Sequence, residues 1–199
     1  MEITTFDRRF DKSEAVKRTR NLSTVRYLRT LLEETLGLGG GPTDPNVYVA
    51  YYPDYILYSS VIYRRLRSTE NHKFLAGVDA VSGNVGEVDV ELPDTHVQDV
   101  DPTAVIEPQL TEAEAREEWD GWIFRYMSRK YRAMKLVEYE IDDAELVYTP
   151  YWIIDNGSLE GSLAVSDLTR RTAKVEEIQV IADFYKEHLS NNPPVPLRE

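Results

Sequence analysis

A chain that carries the same aromatic strand twice has few folds open to it, because both copies need partners within reach of one core. Val47-Tyr48-Val49-Ala50-Tyr51-Tyr52-Pro53-Asp54-Tyr55-Ile56-Leu57 is echoed roughly a hundred residues later by Leu146-Val147-Tyr148-Thr149-Pro150-Tyr151-Trp152-Ile153-Ile154. Each copy leads to a second apolar run that ends in a turn, Val78-Asp79-Ala80-Val81-Ser82-Gly83 and Val165-Ser166-Asp167-Leu168-Thr169-Arg170. Each is also preceded by a helical pattern. The expected fold class is therefore α+β, with tandem duplicated helix-plus-antiparallel-β-meander units and a short C-terminal helix.

The first helical pattern runs from Lys12 to Leu36, with Ala15, Leu22, Val25, Leu28, Leu31, Leu32 and Leu36 spaced three and four apart. Asn21-Leu22-Ser23 is a point at which it would divide into two shorter helices. Gly37-Leu38-Gly39-Gly40-Gly41-Pro42 stops it. This glycine run follows a helix and lacks the lysine and hydroxyl residue of a phosphate loop, so it reads as a linker. Strands are then expected to 91, with Pro53-Asp54 kinking the first or forming a bulge. Residues 92–110, with three prolines and four acidic groups, read as an exposed connector.

The second helix begins at Thr111-Glu112-Ala113-Glu114, a capping box in which side chains and open amides satisfy one another. Ala115, Trp119, Trp122, Ile123, Tyr126, Met127, Met134 and Val137 follow at helical spacing, predicting about six turns. Asp155-Asn156-Gly157-Ser158 is a hairpin turn signal in the second strand block, 136–178. A closing helix is expected over Val175–Leu189, then an extended tail at Asn192-Pro193-Pro194-Val195-Pro196. The units are thus 1–91, a connector at 92–110, 111–189, and a tail at 190–199, with the two units able to pack as one pseudo-symmetric domain.

Helix, meander and a Val-Asp-Ala-x-x-Gly turn, here Val78-Asp79-Ala80-Val81-Ser82-Gly83, are similar to the small helix–sheet domain known as PepSY. That resemblance implies an inhibitory or interaction module. The second copy departs from it, because Ser166-Asp167-Leu168-Thr169-Arg170 has no glycine.

Several chemistries are closed off. The chain has no cysteine, which excludes disulfides, thiolate nucleophiles and cysteine-bound metals. His72, His96 and His188 form no helical zinc pattern, and no cofactor or metal is expected. No apolar run is long enough to cross a bilayer, and the first twenty residues are charged rather than signal-like, so a cytoplasmic protein or an intracellularly assembled particle is expected. The net charge of -12, with 35 acidic residues against 23 basic ones, resembles the acidic, arginine-preferring composition of salt-loving archaeal proteins.

What remains points to contact rather than catalysis. Tyr48, Tyr51, Tyr52, Tyr55, Tyr58, Tyr151 and Trp152 place rings on both faces of their strands, so one face is expected to meet a partner protein or a second copy. Arg8, Arg9, Lys12, Lys17, Arg18, Arg20, Arg26 and Arg29 stand against only Asp7, Asp11 and Glu14 between positions 7 and 29. Arg18, Arg20, Arg26 and Arg29 are therefore candidate electrostatic contacts, toward an acidic protein surface first and nucleic acid second. Asp79 and Asp167 occupy matching turns, where paired carboxylates cap local amides or, if brought together, share a proton or hold a cation. The expected function is that of a non-enzymatic structural or protein-interaction component; a carboxylate-based enzyme is the least favoured alternative.

Overall fold

β2 (Asn46–Arg64) and β6 (Lys135–Asp155), the strands that carry the two echoed segments, pair with each other antiparallel over their whole lengths. The structure, a computed structural model, describes residues 1–20 and 46–189. Tyr52 pairs with Thr149, and on either side Tyr51 faces Pro150 while Pro53 faces Tyr148. These flanking pairs exchange under the echo, so a local twofold axis passes through Tyr52–Thr149.

The prolines explain how such long strands survive. Pro53 offers its carbonyl to Ala80 N at 3.2 Å and Pro150 offers its own to Asp167 N at 3.0 Å, both on the side away from the shared ladder. Each proline therefore lies just past the end of its outer partner strand, where no ladder donor is required. The expected kink at Pro53-Asp54 is absent for this reason. One strand of 19 residues runs straight through it.

Around this pair the chain builds an eight-stranded sheet in the order β4-β3-β2-β6-β1-β5, with β7 and β8 branching from β6. The remaining strands are β1 (Glu2–Phe6), β3 (Thr69–Asp79), β4 (Val85–Glu87), β5 (Thr95–Asp99), β7 (Leu163–Ser166) and β8 (Thr172–Lys174). The helices are α1 (Lys12–Arg20), α2 (Glu112–Tyr131) and α3 (Gln179–Phe184), the last continuing as a π-helical turn to Leu189. The protein is an α+β fold with two repeats of helix plus antiparallel meander, α1-β2-β3-β4 and α2-β6-β7-β8, and a short C-terminal helix.

Alternation along the strands divides the core between two faces. On one face, Tyr55, Leu57, Val61, Ala76 and Val78 pack under Trp119, Ile123 and Met127 of α2. On the same face, Val49, Tyr51, Trp152 and Val165 pack under Phe10 and Ala15 at α1. α1 thus rests on β6 and β7 of the second repeat, while α2 rests on β3 and β4 of the first as well as on β6. On the opposite face Tyr48, Tyr52 and Ile153 meet Ile181, Phe184 and Tyr185 of the C-terminal helix.

Two further expectations are corrected. The acidic connector is not merely an exposed tether: β5 pairs with β1, and Val105 and Ile106 are buried, because Ile106 N donates to Tyr51 O on the open side of β2. α2 keeps its capping box but ends at Tyr131, where Arg132 turns left-handed at φ 56°. Met134 and Val137, which fit the helical spacing, lie beyond it and are exposed. The expected helix over 21–36, the glycine linker and the proline tail lie outside the described residues.

Because Tyr51 and Pro53 direct their carbonyls away from β6, Ala50 directs its amide toward it. Ala50→Pro should therefore cost on the order of 3 kcal/mol or more, through one lost ladder bond and a stranded carbonyl. Pro53→Val should cost far less. Urea unfolding of the two variants checks this.

Candidate functional site

The seven rings expected at an interface are mostly inside the molecule. Tyr48, Tyr51, Tyr52, Tyr55 and Trp152 are buried, and Tyr151 is partly covered, packed 5.7 Å from Tyr52 ring to ring. Only Tyr58, 41% exposed, remains open. The reason is that both faces of the central ladder are roofed, one by α1 and α2 and the other by the C-terminal helix. Several of their polar tips also have partners. Tyr51 Oη accepts from Arg8 at 2.7 Å, Tyr55 Oη donates to Leu110 O at 3.2 Å, and Trp152 Nε1 donates to Asp167 at 3.0 Å.

Arg18 donates to Glu14 at 3.0 Å and stacks its guanidinium 5.1 Å from the Phe10 ring centre. It is bound to its own helix and core rather than presented outward. Arg20 ends α1, and Arg26 and Arg29 lie outside the described residues.

Asp79 and Asp167 are not equivalents. Asp54 pairs with Asp79 across β2–β3, and its counterpart Tyr151 pairs with Ser166 across β6–β7. Ser166 is thus the partner of Asp79 under the twofold, and Asp167 matches Ala80. A slip of one residue sends a strand side chain to the opposite face, so the two carboxylates diverge. Asp79 accepts from Tyr52 Oη at 2.9 Å, from the amides of Val81 and Ser82, and from Ser82 Oγ at 2.7 Å. Asp167, 1% exposed, accepts from Trp152 and from Arg9 N at 2.6 Å. Asp79 thus closes its own turn, which Gly83 completes at φ 74°, whereas Asp167 ties Trp152 of β6 to the backbone of Arg9.

Beside the twofold sits a carboxylate that composition gave no reason to single out. Asp54 accepts from Thr149 Oγ1 at 3.0 Å on the face that also carries Tyr52, Tyr151 and Asp79. Burial, then the nearby charge of Asp79, push its pKa up to about 7 against the pull of the Thr149 hydroxyl. Burial raises Tyr52 as well, reinforced by the Asp79 charge, and carries Tyr151 to about 12. The cluster is a set of neutral donors around two acids. Among the described residues no group of three or more histidines or carboxylates is placed to hold a metal ion.

The other unusual region is the far half of the ladder. β6 pairs with β2 from Lys135 onward, but its outer edge meets β1 only at Tyr148 and β7 only from Tyr151. From Lys135 to Ala144 that edge has no strand partner among the described residues. Glu138, Glu140, Asp142 and Asp143 are exposed along it, with no ion pair among the described residues. Ser60 Oγ reaches Glu140 and Asp142 at 3.4 and 3.3 Å. Met134, Val137 and Tyr139 are exposed on the same stretch. α2 covers one face of this half, while Tyr58, Ser60 and Ile62 share the other with Glu138 and Glu140. The alternation Glu138-Tyr139-Glu140-Ile141 is the sequence signal for a charged edge strand.

No family model, curated protein or solved structure matches the chain. The likeness of Val78–Gly83 to PepSY is carried by that turn and the element order alone. Among the described residues, no helix is long and apolar enough to cross a membrane.

The raised Asp54 pKa makes stability fall with rising pH. Its folded value lies above the unfolded one, so its contribution is complete below about pH 4 and is lost as pH rises through about 7. Wild-type protein should lose roughly 2–4 kcal/mol between pH 5 and 8 from this group. Asp54→Asn should flatten that fall and be the more stable form at pH 8, as measured by denaturant titration across pH.

Proposed function

We propose that this protein is a non-enzymatic interaction component that takes an extended, basic segment of a partner protein onto the free edge of β6. The observation that carries the reading is the edge from Lys135 to Ala144, which has no strand partner among the described residues and so presents a row of amides and carbonyls. Strand addition satisfies such a row, with affinity from main-chain hydrogen bonds and selectivity from alternate side chains. The carboxylates of Glu138, Glu140, Asp142 and Asp143, without an ion pair among the described residues, select for positive charge, and they repel a second copy of so acidic a chain. Val137 and Tyr139 supply apolar contact beside them.

Support for a non-catalytic role comes from the engaged state of the best placed acids. Asp79 is committed to its own turn and Asp167 to Trp152 and the backbone of Arg9, and Asp54 lies on the face that the C-terminal helix covers. Work in the cytoplasm or within an intracellular particle fits this reading. The docking surface is the open distal half, rather than the aromatic faces first expected.

The test is fluorescence anisotropy with the labelled heptapeptide Val-Lys-Val-Lys-Val-Lys-Val. We expect saturable binding that weakens at least tenfold in Glu138→Lys/Glu140→Lys, and that disappears when alternate peptide amides are N-methylated. Equal binding of the methylated peptide would overturn strand addition.

A further inference from the structure

At the end of the free edge, β6 and β2 share a cavity of about 180 Å³. Ile56, Leu92 and Val147 form apolar walls, and Tyr58, Asp94 and Glu145 also line it. The volume is below the range that houses drug-sized ligands, and suits one long side chain. Neither carboxylate has a hydrogen bond or ion pair among the described residues. A neutral occupant would strip water from two acids without compensation. A cation on an alkyl stem satisfies all parts at once: the stem lies against the apolar walls, the charge meets the carboxylates, and the Tyr58 ring adds a cation-attracting surface.

We infer that this cavity is a specificity pocket for one lysine or arginine side chain of the segment added to β6. The inference rests on the strand-addition reading and names what that segment must carry. Its position supports this source over a free cation, because Glu145 directly follows Ala144, the last residue of the open edge. A strand laid along Lys135–Ala144 ends beside Glu145, one of the residues that line the cavity. The 3.3 Å rise per strand residue then limits the choice to one or two side chains near that end.

Nuclear magnetic resonance on the isotope-labelled full chain separates the two ideas. Titration with Val-Lys-Val-Lys-Val-Lys-Val should move the amides of Tyr58, Thr95, Glu145 and Val147 as well as those along 136–143. The same peptide with norleucine for lysine should leave the cavity amides in place. Asp94→Asn/Glu145→Gln should weaken binding of the lysine peptide about tenfold while shifts along 136–143 persist at saturation. The variant's own spectrum reports that it is folded. An arginine peptide tests guanidinium against ammonium, and either one entering supports the pocket. Movement along 136–143 with a silent cavity would overturn the pocket and leave strand addition standing. No movement anywhere would overturn both. Spermidine matching the peptide's affinity at the cavity would overturn the peptide side chain as its occupant.

Discussion

The ladder between β2 and β6 is the interaction on which the rest depends. It joins the two repeats through the middle of their longest strands, and its centre, Tyr52–Thr149, is the twofold of the fold. Each helix then rests on strands of the other repeat, α1 on β6 and β7, α2 on β3 and β4. A repeat separated from its twin would leave both a strand edge and an apolar helix face uncovered. Burial at roughly 25 cal/mol per Å² is the main favourable term available to either half, and the core clusters draw residues from both repeats.

The same ladder accounts for what the sequence disclosed and what it concealed. The echo and the helix cap at Thr111 are local signals that mark their elements correctly; the turn signal at Asp155–Ser158 marks the end of β6, but the connection to β7 runs on through a 3-10 turn at Leu159–Gly161 and is longer than a tight Asn-Gly hairpin. Pairing partners are long-range, so the rings of Tyr48, Tyr51 and Trp152 read as an outer surface when their cover comes from residues far along the chain. Phe10 and Arg8 reach Trp152, and Phe184 closes over the opposite face. The equivalence of Asp79 and Asp167 failed for a finer reason. Turn sequences align by their appearance, whereas faces are set by register, and one residue of slip reverses the face. Asp54 was unreadable because its burial depends on four strands meeting at the twofold.

Symmetry also explains where, among the described residues, the sheet lacks a partner strand. β2 continues well past Pro53 to Arg64 and is matched there by the first half of β6, but the second repeat contributes no further strand outside it. The excess length of the first repeat therefore projects as a three-stranded extension with one helical roof. Its acidic side chains keep such an edge from pairing indiscriminately, and the same charges set the sign of any segment that pairs with it. The centre is closed and polar-satisfied, and the open chemistry is displaced to the extension.

Native-state hydrogen exchange tests the shared ladder most directly. If β2 and β6 form one cooperative centre, the slowest amides should fall in both strands around Tyr52 and Thr149, with the same opening free energy, equal to that of global unfolding. Amides of β6 that face outward between Lys135 and Ala144 should exchange far faster. Distinct opening energies for the two repeats, with β2 protected while β6 exchanges or the reverse, would contradict the account.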